Sequence, residues 1–589
     1  MRSNPLFSAL IPAVLAGFAL LWGAPLCHAH SDDLNAFFEE AWQADLAASP
    51  VLASNLGDTR YNALWPDLSP AAIAKRHASD RTFLARARRL KANQSDWDEH
   101  DELNLALFEQ TYERRVNTHR YRMFLQPLNQ RGGIQSADQI AQQMRFNSTA
   151  DYENWVARLN AFDTYMAQTI ALMRMGITEK RTHPTIIMQR VPEQIEAQLV
   201  APEDSGFFAP FKNMPASISA SEQKALRSAG LNAVNTIVLP AYRKMLAFFN
   251  DEYLPACRDT VGAWALPDGS NFYAQRAQHY TTTELTPDEI HDIGLSEVKR
   301  IRAAMQTIID DVEFEGSFAE FLDFLRTDKQ FYFDNADDLL REYRATSKRI
   351  DPELVKLFKR LPRMPYGVKP IPDAIAPDTT TAYYSRPAAD GSRAGFYFVN
   401  LYRPEVRPKY EIEVLTVHEA MPGHHLQIAL AQELGDLPAF RRFGGYTAFV
   451  EGWGLYSESL GDELGLYKDP YSKFGQLTYE MWRAVRLVVD TGMHHKRWSR
   501  DKAIAFFEDN AAKAKHDIVN EIDRYIAWPG QALAYKIGEL KIQELRRRAE
   551  AELGDKFDVR DFHEVVLGSG GVPLDILSDN VDTWLNSFD

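Results

Sequence analysis

Apolar residues recur at helical spacing along most of the chain. Leu34, Phe37, Phe38 and Trp42 form one stripe, and Leu103, Leu107, Phe108 and Tyr112 form another. Tyr152, Trp155, Leu159 and Phe162 continue the pattern, followed by Met166, Ile170 and Met173. Such stripes are the buried faces of amphipathic helices, so residues 32 to about 200 are predicted to form a helical bundle. The Pro- and Ser-rich stretch from Ala201 to Ser221 predicts a loop. Pro255 to Gly269, with two prolines and two glycines, predicts the join between an N-terminal and a C-terminal half. Thr286-Pro287-Asp288-Glu289 has the form of a capping box with proline at the first helical position. Ile290, Val298, Ile301, Met305 and Ile308 then mark a long helix. After Pro362 the period changes: Pro365, Pro370, Pro372 and Pro377 break the chain into extended pieces. Tyr383–Ser385 and Phe396–Asn400 read as two strands joined through Asp390-Gly391. From Ile412 the helical period returns, with one helix through Val417–Gln427, one through Glu451 and one over Trp482–Val489. Two more follow, from Ser499 to Phe507 and over Ala532–Glu550. The predicted fold class is mostly α, with a small β-hairpin beside the histidine-bearing helix.

Composition narrows the class. Of 589 residues, 45% are apolar and 25% charged, which is ordinary for a soluble globular protein. A net charge of −15 argues against a nucleic-acid-binding surface. Arg2, the apolar run Leu6–Trp22, Pro25 and a small residue at Ala29 follow the order of a secretory signal, with cleavage expected after Ala29. The expected organisation is therefore a signal peptide over 1–29, an N-terminal helical region over 30–255 and a C-terminal catalytic region over 256–589. Cys27 raises a lipoprotein signal, but Leu26 stands where a small residue is expected. A periplasmic or secreted protein without a lasting membrane span is the expectation. Cleavage would leave Cys257 as the remaining cysteine, which excludes an intramolecular disulfide.

The chemistry concentrates in V-H-E-A-M-P-G-H-H-L-Q, Val417 to Gln427. Three histidines and a glutamate lie between apolar flanks, and buried polar groups need partners or a metal. The start resembles H-E-x-x-H, in which two histidines one turn apart hold zinc beside a general-base glutamate. Pro422 occupies the second histidine's place. On a regular helix His424 would face away from His418, and His425 would sit roughly 10 Å along the axis. Pro422 cannot donate to the His418 carbonyl and Gly423 tolerates unusual backbone angles. A widened, π-like turn would bring His424 back to His418. His425 is the alternative ligand.

This stretch resembles the signature of the DUF885 family, bacterial and often exported proteins with the pattern H-E-x-x-P-G-H-x-x-Q. Further matches are Thr286–His291 with Gly294, Val450-Glu451-Gly452-Trp453, Asp490-Thr491-Gly492 with His494, and Pro529-Gly530-Gln531-Ala532 with Tyr535. They cover most of the mature chain as one continuous unit. The family in turn resembles helical gluzincin metallopeptidases, whose third zinc ligand is a downstream glutamate. That resemblance implies zinc on His418, His424 and Glu451, with Glu419 as general base for a zinc-activated water. Glu458, seven positions after Glu451, shares its helical face and could orient a ligand. Tyr535, His494 and Arg524 are candidate donors to the oxyanion. Arg486, within an apolar helix, would form an ion pair or bind a substrate carboxylate. The strand Phe396–Asn400 could pair with an extended peptide. The implied activity is zinc-dependent peptide hydrolysis, as an oligopeptidase or carboxypeptidase. The competing readings are a zinc amidohydrolase for a non-peptide or cell-wall amide, and a non-catalytic exported binding protein. No G-x-S-x-G is present, which argues against a serine hydrolase.

Overall fold

The computed structural model describes residues 26–588 apart from 94–96, 374–375, 377–379, 389 and 436. Most of the expected signal peptide, residues 1–25, lies outside the described residues. The chain is mostly helical with one three-stranded sheet. No helix among the described residues is long and apolar enough to cross a membrane.

Helix α1, Pro287–Asp311, begins as the sequence predicts. Thr286 accepts from the Glu289 backbone N–H, and Glu289 reaches back to the Thr286 N–H. The reciprocal bonds satisfy two donors that helix starts otherwise leave free. The sheet comprises β1 (Tyr366–Pro370), β2 (Ala382–Ser385) and β3 (Gly395–Val399), in the order β1-β3-β2. The antiparallel pair β2/β3 follows the predicted alternation. The parallel strand β1 corrects the reading of Pro365 and Pro370 as mere breaks, since they flank a strand. The central position of β3 also corrects the proposed docking edge. Both sides of β3 are paired, so β1 and β2 are the outer strands, and β2 is the one that packs on the helix Ile412–Glu419.

The predicted single helix through the histidine cluster is two helices. Helix α2, Ile412–Glu419, stops at Ala420, and α3, His424–Glu433, starts after Gly423. Ala420 and Gly423 both leave helical geometry, with ψ of −108° and −126°, and the Met421–Pro422 bond is cis. The helix is interrupted here, and the His425 N–H to Ala420 carbonyl bond at 3.1 Å, five residues apart, closes a widened turn as the sequence predicts. Gly423 is required here, because a Cβ would lie 1.9 Å from the His418 carbonyl oxygen.

Four more helices frame the site: α4 (Thr447–Ser459), α5 (Pro470–His494), α6 (Lys515–Ala527) and α7 (Ala534–Leu553). Helix α5 is buried along almost its whole length, as expected for a strut inside a large core. It packs along α1 where a Cβ on Gly294 would meet Leu487 at 2.7 Å. Helices α4 and α7 touch backbone to backbone at Gly452 and Gly538, where a Cβ on Gly452 would stand 2.6 Å from the Gly538 Cα. The main apolar core is continuous from Leu107 to Leu585, with Trp155, Phe207 and Tyr242 of the N-terminal region joined to Val414, Trp453 and Val488. A smaller cluster of Leu34, Phe37, Phe83 and Phe108 sits beside it.

Candidate metal centre

The break between α2 and α3 turns two histidines toward each other. His418 ends α2, His424 begins α3, and their ring centroids lie 4.7 Å apart. Glu451, on α4, places Oε2 3.4 Å from His424 Nε2 and 3.9 Å from His418 Nε2. One ligand atom from each of the three residues falls within 4.8 Å of the others. Gly454, one turn beyond Glu451, leaves room for both rings: a Cβ there would sit 2.9 Å from His418 Cε1 and 3.1 Å from His424 Cε1. The turn is pinned to the same helix, since Trp453 Nε1 donates to the Pro422 carbonyl at 2.9 Å.

Glu458, fully buried, lies 2.8 Å by Oε1 from His418 Nδ1. Nδ1–H therefore donates to the carboxylate, and Nε2 presents its lone pair to Glu451 and His424. Burial pushes the Glu458 carboxyl up to about 8, against the pull of Arg483 Nη2 at 3.3 Å. Two nitrogens and a carboxylate oxygen converging on one point are a zinc donor set. The residues fit that ion.

Electrostatics follow from crowding. Burial, then the neighbouring His424, holds His418 well below the ordinary imidazole range. Burial acts against the charged form of His424 too, but the Glu451 and Glu419 carboxylates leave it raised. Burial disfavours ionised Glu451, yet His424, Arg524 and Arg486 bring its carboxyl below the usual value. Glu419 goes the other way: burial raises it, and the charge of Glu451 adds to the rise. The Tyr384 backbone, on the strand β2 that packs against α2, works against that rise.

His425 faces away from the cluster. Its Nε2 donates to the Met364 carbonyl at 3.0 Å, and Tyr384 Oη lies 2.9 Å from Nδ1. Burial lowers it to about 4. It is a neutral tie between α3 and the sheet. His494 corrects an expectation. Its Nδ1 accepts from the Ala263 N–H at 2.9 Å and its Nε2 donates to the Tyr525 carbonyl at 3.0 Å. With both nitrogens held by backbone it cannot serve as an oxyanion donor. Tyr535, at the start of α7, accepts from Arg524 Nη2 at 3.1 Å, so its own hydroxyl proton remains to be donated. Arg524 reaches Gln531 with the same nitrogen and therefore positions Tyr535. Arg486 forms the expected ion pair, with Nη2 3.1 Å from Glu521, and lies over the Tyr535 ring.

Other motif residues are joints. Asp490 accepts from the Gly530 N–H at 3.0 Å and from the Tyr273 hydroxyl at 2.6 Å. Thr491 bonds His291 at 2.8 Å. The D-T-G-x-H end of α5 thus clamps α1, the Pro529-Gly530 turn and the segment before Tyr273. Sequence reading missed Arg483 and Tyr384. A second cation one turn before Arg486 on the same helix was a usable signal for the first; nothing local marked the second.

The fold and site define a helical protein with a His–His–Glu centre on three helices, beside an outer strand of a small sheet. The family model described as "Bacterial protein of unknown function (DUF885)" matches residues 50–581, and the chain belongs to that family. No curated protein matches the chain. A solved structure from Colwellia psychrerythraea, described as a candidate lipoprotein, shares 31% identity over 95% of this chain and 99% of its own, with a TM-score of 0.89. A second, from Shewanella oneidensis and described as a candidate lipoprotein of unknown function, shares the fold at 18% identity. It covers 93% of this chain and 99% of its own, with a TM-score of 0.68.

Proposed function

We propose that the protein is an exported zinc-dependent peptide hydrolase. The observation that carries the reading is the convergence of His418 Nε2, His424 Nε2 and Glu451 Oε2 beside an acid, Glu419, whose carboxyl is raised. Zinc held by the three ligands would supply Lewis-acid polarisation of a scissile carbonyl and of water. The rest falls to the chain's own groups. The outer strand β2 offers an edge along which an extended peptide can lie, with its backbone beside Glu419. Glu419 takes the proton of the attacking water and delivers it to the leaving amine; a raised carboxyl suits both transfers. Tyr535 donates its phenolic proton to the oxygen on which charge develops, held in place by Arg524. Glu458 keeps His418 in the tautomer that presents Nε2. Relatives described as candidate lipoproteins fit an exported protein without an integral span.

Elemental analysis and peptide cleavage by wild type and Glu419→Gln test the reading. One zinc per chain in both proteins is expected, with cleavage reduced by roughly 100-fold or more in the variant. Zinc without cleavage of any peptide would favour an amidohydrolase acting on a non-peptide amide. Absence of bound zinc would favour a non-catalytic binding protein.

A further inference from the structure

Next to the ligand Glu451 lies a group of guanidiniums that its own acids do not balance. Arg486 and Arg524 share one carboxylate, Glu521, at 3.1 and 3.6 Å. The Tyr525 hydroxyl beside Glu521 accepts from Arg486 Nε at 2.8 Å and Trp482 Nε1 at 2.9 Å, so it supplies no charge balance to either guanidinium. Arg131 faces the same group from the N-terminal region, within electrostatic reach of Arg524, Glu521, Tyr525 and Tyr535. The neighbouring acid Asp523 is taken by Arg190 at 2.6 Å and Arg500 at 2.7 Å. Three guanidiniums face Glu521 and Glu451, and Glu451 also serves His424, which leaves a surplus of positive charge. Two donors, Arg486 Nη1 and Arg524 Nε, are buried without a hydrogen-bond partner. Unmatched buried charge is costly unless something else balances it.

The group is built to face a ligand at its rim. Arg486 is sealed beneath, 2% exposed, under the Tyr535 ring. Arg524 is 13% exposed by side chain, and Arg131 is exposed. Both lie over Trp528, at 5.9 and 5.7 Å from the ring centre, and that indole is itself 39% exposed. A planar cation fork beside an open aromatic face is a recognition surface for a carboxylate with an attached side chain. We infer that Arg131 and Arg524, backed by the charge of Arg486, bind the free C-terminal carboxylate of a peptide, so that the enzyme removes residues from peptide C-termini. This rests on the peptidase reading above. It accounts for why the surplus stands within electrostatic reach of Glu451: a carboxylate held here would supply the negative charge that the group lacks.

The test is equilibrium binding to zinc-loaded Glu419→Gln protein, followed by calorimetry, with cleavage by wild type measured in parallel. Three peptides of one sequence are compared: one with a free C-terminal carboxylate, one amidated, and one amidated with Glu as its last residue. The free acid should bind at least about 10-fold more tightly than either amide. That preference should fall to about 2-fold when Arg131→Ala or Arg524→Lys is added, because Lys keeps the charge but loses the fork. Arg131 is exposed, so its removal leaves the core intact. Equal affinities, no measurable binding of any peptide, a preference untouched by both substitutions, or tight binding of the Glu-ended amide would each overturn the inference. Wild-type cleavage of acid and amide at equal rates would also overturn it while leaving the peptidase reading in place. A preference for the free acid without cleavage would keep the carboxylate subsite and remove the hydrolase.

Discussion

Glu458 is completely buried and makes its bond to the distal nitrogen of a candidate ligand, not to the metal position. A carboxylate there fixes the tautomer of His418 and raises the basicity of Nε2. Glu458→Gln keeps the shape and an acceptor but removes a carboxyl that can ionise. Zinc affinity, measured by competition with a chelator, should fall about 10–100-fold while the fold is retained. Unchanged affinity would mean that Glu458 is only a packing partner of Arg483. At this scale much of the centre is legible in the sequence. Histidines and an acid between apolar flanks mark His418, Glu419 and His424, and helical period places Glu451 and Glu458 on one face. The choice between His424 and His425 was not legible. It depends on how the chain leaves α2 at Ala420 and on Tyr384 and Met364, which reach His425 from residues distant in sequence. His494 was misjudged for a related reason: nothing near it reveals that the carbonyl of Tyr525 and the N–H of Ala263 occupy its ring.

Between elements, the polar end of α5 acts as a clamp inside a helix that is otherwise buried. Periodicity found α5 but underestimated it, because a helix buried on all sides carries no polar face to mark its length. Asp490 accepts from Gly530 and Tyr273 without a cation bonded to it, and burial pushes its carboxyl up to about 7. An ordinary aspartate in the unfolded chain titrates near 3.8. The folded protein therefore holds a proton on Asp490 more tightly than the unfolded chain does. Its contribution is fully present below about pH 4 and is lost as the pH rises through about 7. Asp490→Asn keeps the acceptor oxygen and removes the titration. The variant should lose that part of the decline in stability between pH 4 and 7, worth up to about 4 kcal/mol at neutral pH. Denaturant midpoints for both proteins across this range check it; parallel profiles would show that the clamp does not titrate. The third strand was hidden for a different reason. Prolines flank β1, and its pairing partner β3 comes after β2 in the chain, so local turn signals point elsewhere.

For the molecule as a whole, the His–His–Glu centre is a junction. Its three side chains come from α2, α3 and α4, and α4 is locked to α7 through Gly452 and Gly538 while the turn before α3 hangs on Trp453. The apolar core that surrounds them runs through residues of both halves of the chain. Zinc that binds the folded junction and not the unfolded chain should stabilise the protein as a whole, by RT ln(1 + [Zn]/Kd), or about 4 kcal/mol at 1,000 times Kd. Chelation should therefore lower the thermal midpoint of wild type, and added zinc should restore it. His424→Ala removes one ligand from the start of α3, so its midpoint should respond far less to either treatment. Because a chain of this length need not unfold in one step, the comparison is made on the transition that reports near-ultraviolet aromatic packing, not on total helix content. An equal response of wild type and His424→Ala to chelator would place any stabilising zinc elsewhere. A response confined to wild type would tie the stability of the junction to the same three side chains on which the proposed chemistry depends.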